Sequence, residues 1–321
     1  MPTSPGTARA SARRVPPTRI LLTGADGFVG THLRAALSRA FPAAVLVAPG
    51  ADLRDTAAVE AMVVAARPDR CIHLAAVSAV TAAAAEQDKA WAINLGGSLT
   101  LARALIAHAP GCRMIFASSA EAYGTSFQAG TALDESAPLA PQTIYGATKA
   151  AADLALGAMV RDGLDLVRLR LFNHTGPGQS DGFVVSAFAR QLAAIGLGRQ
   201  APVMQVGNLD SARDFLDVRD VCDAYVAALA ADRLPAGVIL NIASGVARRI
   251  GDVLDELRDL AGIAVEVRTD PARLRPSDIP VARGNADAAR ALLGWAPRIA
   301  WRQTLADLLE DWRGRLGAVR G

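Results

Sequence analysis

Tyr145 and Lys149 stand four residues apart in YGATK, one turn of a helix, so a phenol and an ammonium share one face. A phenol beside a positive charge can give or take a proton at a carbonyl or hydroxyl. The ammonium, with the charge of a bound cofactor, is expected to lower its pKa towards neutrality. Upstream, ASSAEAYG closes an apolar run with Ser119 and Glu121, and a serine hydroxyl there can hydrogen-bond the same reacting oxygen. Taken singly, a Tyr and a Lys on a helix are ordinary surface residues. Their weight lies in the joint pattern and in what holds them.

What must hold them is a sheet. RILLTG, residues 19–24, is a short apolar run rich in strand formers that stops at glycine. Similar runs at 44–48, 70–76, 113–119 and 166–172 alternate with Ala/Leu-rich helical segments, which predicts an α/β fold with a parallel sheet covered by helices. Between the first strand and its helix lies TGADGFVG. Gly24, Gly27 and Gly30 there allow a tight turn and a close backbone approach to a pyrophosphate, with Phe28 and Val29 opening the helix whose N-terminus holds the anion. The position after a strand and before a helix turns a weak glycine triplet into a dinucleotide expectation. The tip of the second strand, VLVAPGADLRD, offers no acid before Asp52 to take a ribose 2′-hydroxyl, so NADP(H) is favoured and NAD(H) is possible. Asp52 reads either as a ligand of the adenine amino group or as an N-cap for the helix starting near Thr56.

Composition narrows the class. The chain has 321 residues, 51% of them apolar, enough to bury a full core. The 34 basic residues against 31 acidic leave a formal charge of +3 with no Lys/Arg run, so no nucleic-acid partner is expected. Cys71, Cys112 and Cys222 lack the spacing of a metal site or disulfide framework, which points to no metal and a cytoplasmic location. Residues 1–18 read as a disordered leader without an apolar core, and no later run approaches bilayer-spanning length, so no membrane partner is expected.

TGADGFVG, HLAA (73–76), ASSAEAYG, YGATK and RDFLDVRD (213–220) together resemble the extended short-chain dehydrogenase/reductase family over nearly the whole chain after Thr18. The resemblance implies a Rossmann doubly wound parallel sheet for NAD(P), residues 19–172 with 215–260. A smaller C-terminal α/β lobe for a nucleotide sugar would take 173–214 with 261–321. It implies Ser119, Tyr145 and Lys149 as the catalytic set, with Leu53, Leu74, Ala75, Ala76 and Phe172 lining the cofactor site. Asn94 matches a family asparagine near the active site, and a buried helical Asn satisfied by backbone carbonyls explains it equally well.

The loop LFNHTGPGQSDGFVV, 171–185, follows a strand at the sheet's carboxyl edge and leads into an amphipathic helix. Asn173 can donate to a substrate phosphate there, and the N–H groups of the Gly176–Gly178 turn suit an anion. FNHTGPGQ followed by GFVV resembles the GDP-4-keto-6-deoxy-D-mannose reductases and their relatives, the GDP-mannose 4,6-dehydratases. In that branch Val184 lies on the substrate side, and DPARLRPSDIP (270–280) sets Arg275 on the diphosphate and Asp278 on the ribose, with Arg213 as a second clamp. A GDP-sugar partner follows from the resemblance, and so does a homodimer built on the helices carrying Asn94 and Lys149. The loop tilts the expectation to C4-ketone reduction. Glu121, a suitable base for dehydration, keeps the dehydratase or an epimerase as the alternative.

Overall fold

The computed structural model describes residues 16–274 and 279–318. The chain runs β1 (Arg19–Thr23), α1 (Phe28–Ala40), β2 (Val45–Val47), α2 (Thr56–Ala66), β3 (Arg70–His73), α3 (Val80–Ala85), α4 (Gln87–Trp91), α5 (Ser98–His108), β4 (Arg113–Ser119), α6 (Ile144–Ala158) and β5 (Asp165–Leu171). It continues through β6 (Asn173–Thr175), α7 (Val184–Gly196), β7 (Val203–Val206), β8 (Ala212–Asp217), α8 (Val218–Ala230), β9 (Val238–Ile242) and β10 (Ala247–Arg249). Last come α9 (Ile250–Ala261), β11 (Glu266–Thr269), β12 (Val281–Ala282), α10 (Asp287–Leu293) and α11 (Trp301–Gly317).

The main sheet has six strands in the order β2-β1-β3-β4-β5-β9, every pairing parallel. Its central strands are apolar on both faces because helices cover both. In β4, Ile115 and Ala117 enter the core shared with α1 and α8, while Met114 and Phe116 enter the core shared with α2, α5 and α6. The order reverses between β1 and β3, which opens a crevice above their carboxyl ends, where the glycine loop lies.

Strand β5 contains two arginines, yet it is buried. Asp153 of α6, with 0% of its surface exposed, bonds Arg168 at 3.0 Å, Arg170 at 3.1 Å and the Ser118 hydroxyl at 2.7 Å. One carboxylate thus ties α6 to two strands, and α6 is the helix that carries Tyr145 and Lys149.

A second core joins α7, α9, α11, β7 and β11. Helix α9 falls at the end of the 215–260 segment assigned to the nucleotide lobe. Its Ile250, Val253, Leu254 and Leu257 face α7 and α11 instead, and Ala289 of α10, assigned to the other lobe, sits in the main core. Between them a small sheet, β10-β8-β12 with β6 on β8, carries Arg213.

The expectation that no segment reaches membrane-spanning length needs correction. Residues Gln87–His108 form one continuous helix, α4 and α5 joined by a π turn at Ala92–Gly97, long and apolar enough by length and composition. It packs against α2 and α6 with Leu101, Ala102, Ala104 and Leu105 buried, and its apolarity is that of a core helix.

Candidate active site

At the head of α1, Gly24 adopts φ 73°, and a Cβ there would stand 2.7 Å from the Ala75 backbone nitrogen. A Cβ on Gly30 would strike the Gly24 carbonyl oxygen. Both positions need glycine so that β1, β3 and α1 can meet. Gly27 caps α1 with no side-chain bond to the first turn, and beside it runs a groove lined by Gly24, Ala25, Gly27, Ala48, Pro49, Gly50, Leu53 and Ala75. This shape, a backbone cradle at a helix N-terminus with an apolar slot at the tips of β1 and β2, fits a dinucleotide. Leu53 is buried in the slot, Leu74 and Ala76 flank it half-buried, and Phe28 and Val29 form the half-buried first turn of α1. Asp52 is exposed and clamps Arg54 at 2.6–3.1 Å, and that pairing holds its carboxyl below the usual range. It does not cap α2. Asp55 does, accepting from the Ala58 N–H at 3.1 Å. Phe172, expected at the cofactor, turns its ring into the core among Tyr123 and Phe127, 1% exposed.

Ser119 ends β4, and its Oγ accepts from the Glu121 N–H at 3.2 Å. Thr143 caps α6 through the Gly146 N–H at 2.9 Å, which places Tyr145 in the first turn. Ser119 lies close enough to Tyr145 to lower the phenol's pKa, so the strand end and the helix bring the two hydroxyls to one place. The chain's own groups do not supply the acidity expected of Tyr145 with a cofactor bound. Burial pushes the phenol up to about 12, against the Ser119 hydrogen bond that lowers it, and the Glu121 charge raises it further. Lys149 does not offset this. Its buried Nζ donates to the Ala117 carbonyl at 2.7 Å and lies 5.0 Å from the centre of the Phe116 ring; burial brings its pKa down to about 8.

Glu121 is raised by burial, with Arg213 of β8 opposing, and Arg213 is lowered by burial with Glu121 opposing. The small sheet therefore brings Arg213 to the catalytic edge. Asn173 and Val184 are exposed, the first at the start of β6 and the second at the start of α7. Arg275 and Asp278 lie outside the described residues, as does the leader up to Val15.

The Gly176–Gly178 turn, expected to offer its N–H groups to an anionic ligand, gives the Gly178 N–H to a side chain of the protein instead. The Gly178 N–H donates to the Asp311 carboxylate of α11 at 2.9 Å, and Arg315 of α11 donates to the Gln179 carbonyl at 3.0 Å. From α1, His32 Nε2 donates to the Pro177 carbonyl at 2.7 Å, and the Phe28 and His174 rings lie parallel with centres 6.2 Å apart. The turn is a fixed brace between α1 and α11. Nothing in the residues around Asp311 signalled this.

Asn94 sits in the π turn, 1% exposed. Its amide bonds both backbone groups of Val77 and, at 3.0 Å, the Thr148 hydroxyl, which donates to the Tyr145 carbonyl at 2.8 Å. The structural account of this asparagine and its place beside the catalytic helix hold together. Thr148, inside YGATK, was legible but not singled out. Among the described residues no group of His, Cys, Asp and Glu is arranged to hold a metal ion.

A parallel sheet with a glycine cradle at its switch point and a Ser–Tyr–Lys set on the adjoining strand and helix defines an NAD(P)-dependent enzyme of the extended short-chain dehydrogenase/reductase class. Residues 42–308 match the family model GDP-mannose 4,6 dehydratase, and the chain belongs to that family. It is 36% identical to the GDP-6-deoxy-D-mannose reductase of Pseudomonas aeruginosa, over 93% of this chain and 98% of that one. The structure of RMD from Pseudomonas aeruginosa complexed with NADPH superposes with a TM-score of 0.85 at 33% identity, covering 93% of this chain and 100% of that one. Similarity extends to the UDP-glucose 4-epimerase of Azospirillum brasilense, 29% identical over 94% of this chain and 96% of that one.

Proposed function

We propose that this protein reduces the C4 ketone of GDP-4-keto-6-deoxy-D-mannose with NADPH to give GDP-D-rhamnose. The observation that carries the reading is Ser119 beside Tyr145 with Lys149 one turn on, in a chain 36% identical to a GDP-6-deoxy-D-mannose reductase along nearly its whole length.

The reduced nicotinamide, when bound, supplies the hydride. Tyr145 donates its phenolic proton to the ketone oxygen, and the burial that raises its pKa keeps that proton in place at neutral pH. Ser119 hydrogen-bonds the same oxygen and aims it at the phenol. Lys149, titrating near 8, returns a proton to Tyr145 after turnover and holds the nicotinamide ribose. Gly24, Gly27 and Gly30 with the first turn of α1 hold the pyrophosphate, and the slot at Leu53 and Ala75 takes the adenosine half. Asn173, Val184, Arg213, Arg275 and Asp278 hold the GDP-sugar, Arg213 by charge-assisted bonds to phosphate.

A second reading, redox-neutral dehydration, is favoured by Glu121, whose raised pKa beside Tyr145 suits proton transfer at C5. Net NADPH consumption separates the two. With GDP-4-keto-6-deoxy-D-mannose the protein consumes NADPH stoichiometrically, and Tyr145→Phe lowers the rate by at least about 10²-fold while NADPH binding is kept. A native rate in the Phe variant overturns the proton-donor role, and a 4-keto product from GDP-mannose without NADPH loss overturns reduction.

The reading extends to a cytoplasmic homodimer. Trp91 of α4 and Leu154 of α6, 37% and 60% exposed, leave apolar surface on neighbouring helices, as a two-fold helix-on-helix contact requires. Leu154→Arg should shift the molar mass measured by light scattering from dimer to monomer, and an unchanged mass places the contact elsewhere.

A further inference from the structure

His73, at the end of β3, is 1% exposed and bonded at both ring nitrogens; one partner, Thr23, lines the cofactor groove, and the ring bonds neither Ser119 nor Tyr145. Its partners fix the direction of every proton. The single hydroxyl hydrogen of Ser98 goes to the Asn94 carbonyl at 2.6 Å, because a carbonyl only accepts. Ser98 Oγ must then accept from His73 Nε2–H at 2.9 Å. Burial, with the nearby Lys149 ammonium, keeps the ring neutral, so Nδ1 is bare and accepts from the Thr23 hydroxyl at 2.7 Å. Thr23 Oγ1 in turn accepts from the Ala75 N–H at 3.3 Å. Beyond Ser98 the chain continues through Asn94 and Thr148 to the Tyr145 carbonyl.

We propose that His73 is a positioning residue that registers the cofactor-side strand ends, Thr23 and Ala75, against the π turn of Asn94 and through it the first turn of α6 that aims Tyr145. A π turn carries a residue more than an α turn and so needs side-chain support to persist at one place. Ser98 supplies it at the Asn94 carbonyl, and His73 holds Ser98. The proposal rests on the reading of Tyr145 as proton donor.

The test compares His73→Gln, whose amide can reach Ser98 but not Thr23, with His73→Leu and with Ser98→Ala, which cuts the chain while leaving the imidazole. NADPH affinity is read by fluorescence, turnover with GDP-4-keto-6-deoxy-D-mannose, and folding by thermal melting. His73→Leu and Ser98→Ala should each lose about tenfold or more in kcat through a misaimed phenol. NADPH Kd should stay within about threefold in Ser98→Ala, which leaves the bonds to Thr23 and Ala75 in place, and His73→Gln should recover part of the kcat lost in His73→Leu. In the unmodified protein, ¹⁵N signals of His73 should show a protonated Nε2 and a bare Nδ1 from about pH 5 to about pH 8. The proposal is overturned if folded His73→Leu and Ser98→Ala keep native kcat, if Gln does no better than Leu, or if the other tautomer is seen. Tyr145→Phe, run in parallel, separates the failures: should it keep turnover, the proton-donor reading has failed first.

Discussion

Tyr145 shows how far environment overrides residue type. Its phenol, expected to be acidified by Lys149 together with the cofactor's charge, is held up near 12 in the chain itself because burial disfavours the anion and the Glu121 charge adds to it. For reduction this is favourable, since the phenol is the form that donates. The limiting group on the alkaline side is then Lys149, and kcat should decline as pH rises through about 8, the value to which burial brings the ammonium. A pH–rate profile checks this, and a profile flat well above that value removes Lys149 from proton return. At the cradle, Gly30→Ala forces a methyl against the Gly24 carbonyl. NADPH binding should weaken by about tenfold or more, as displacing the loop costs on the order of 1–3 kcal/mol; titration of NADPH fluorescence measures it.

Between elements, α6 is aimed by what it carries on its far side. Asp153 bonds two strand arginines and Ser118, so removing it leaves two buried guanidinium groups without their anion. Asp153→Ala should destabilise by about 3–5 kcal/mol, read by urea unfolding. A loss under about 1 kcal/mol would mean that water replaces the pair. The brace from α11 makes a different demand. Asp311→Ala frees the Gly178 N–H and loosens the turn that follows β6, the strand of Asn173. KM for the GDP-sugar should rise several-fold while NADPH affinity is unchanged, because neither Gly178 nor Asp311 lines the cofactor groove. An equal loss in both would show that the brace supports the whole cleft.

Across the whole molecule, buried groups set the stability profile. The ring of His73 is lowered to about 3 by burial and by Lys149, so between its unfolded value of 6.5 and about 3 the unfolded chain binds the extra proton. Stability falls as pH falls through that window, by on the order of 1.4 kcal/mol per unit. Lys149 contributes stability above its unfolded value of 10.5 that is lost down to about 8 and changes no further below. Tyr145 acts in the other sense, its contribution lost as pH rises from 10 to about 12. Urea midpoints at about pH 7 and about pH 5 should differ less in His73→Gln than in the unmodified protein, and equal slopes would assign the acid loss to other groups.

The order of apolar runs determined the parallel sheet, because a strand buried on both faces is predominantly apolar, and β1 to β5 fall within three residues of the ends of those runs. Gly24 and Gly30 were legible for the same kind of reason: a backbone that must pass within van der Waals distance of another admits one residue type. Tyr145, Lys149 and Ser119 were legible because one is a helical turn from the next and the third ends a strand. The sequence could not reveal which charges meet across the fold. That Asp311 would take the Gly178 N–H, that Arg213 would face Glu121, that Asp55 and not Asp52 would cap α2, and that α9 would join the second core depend on residues brought together from distant segments or on backbone angles a few residues wide. Those pairings, and with them the pKa of the phenol, come from burial and distance, which exist only once the chain is folded.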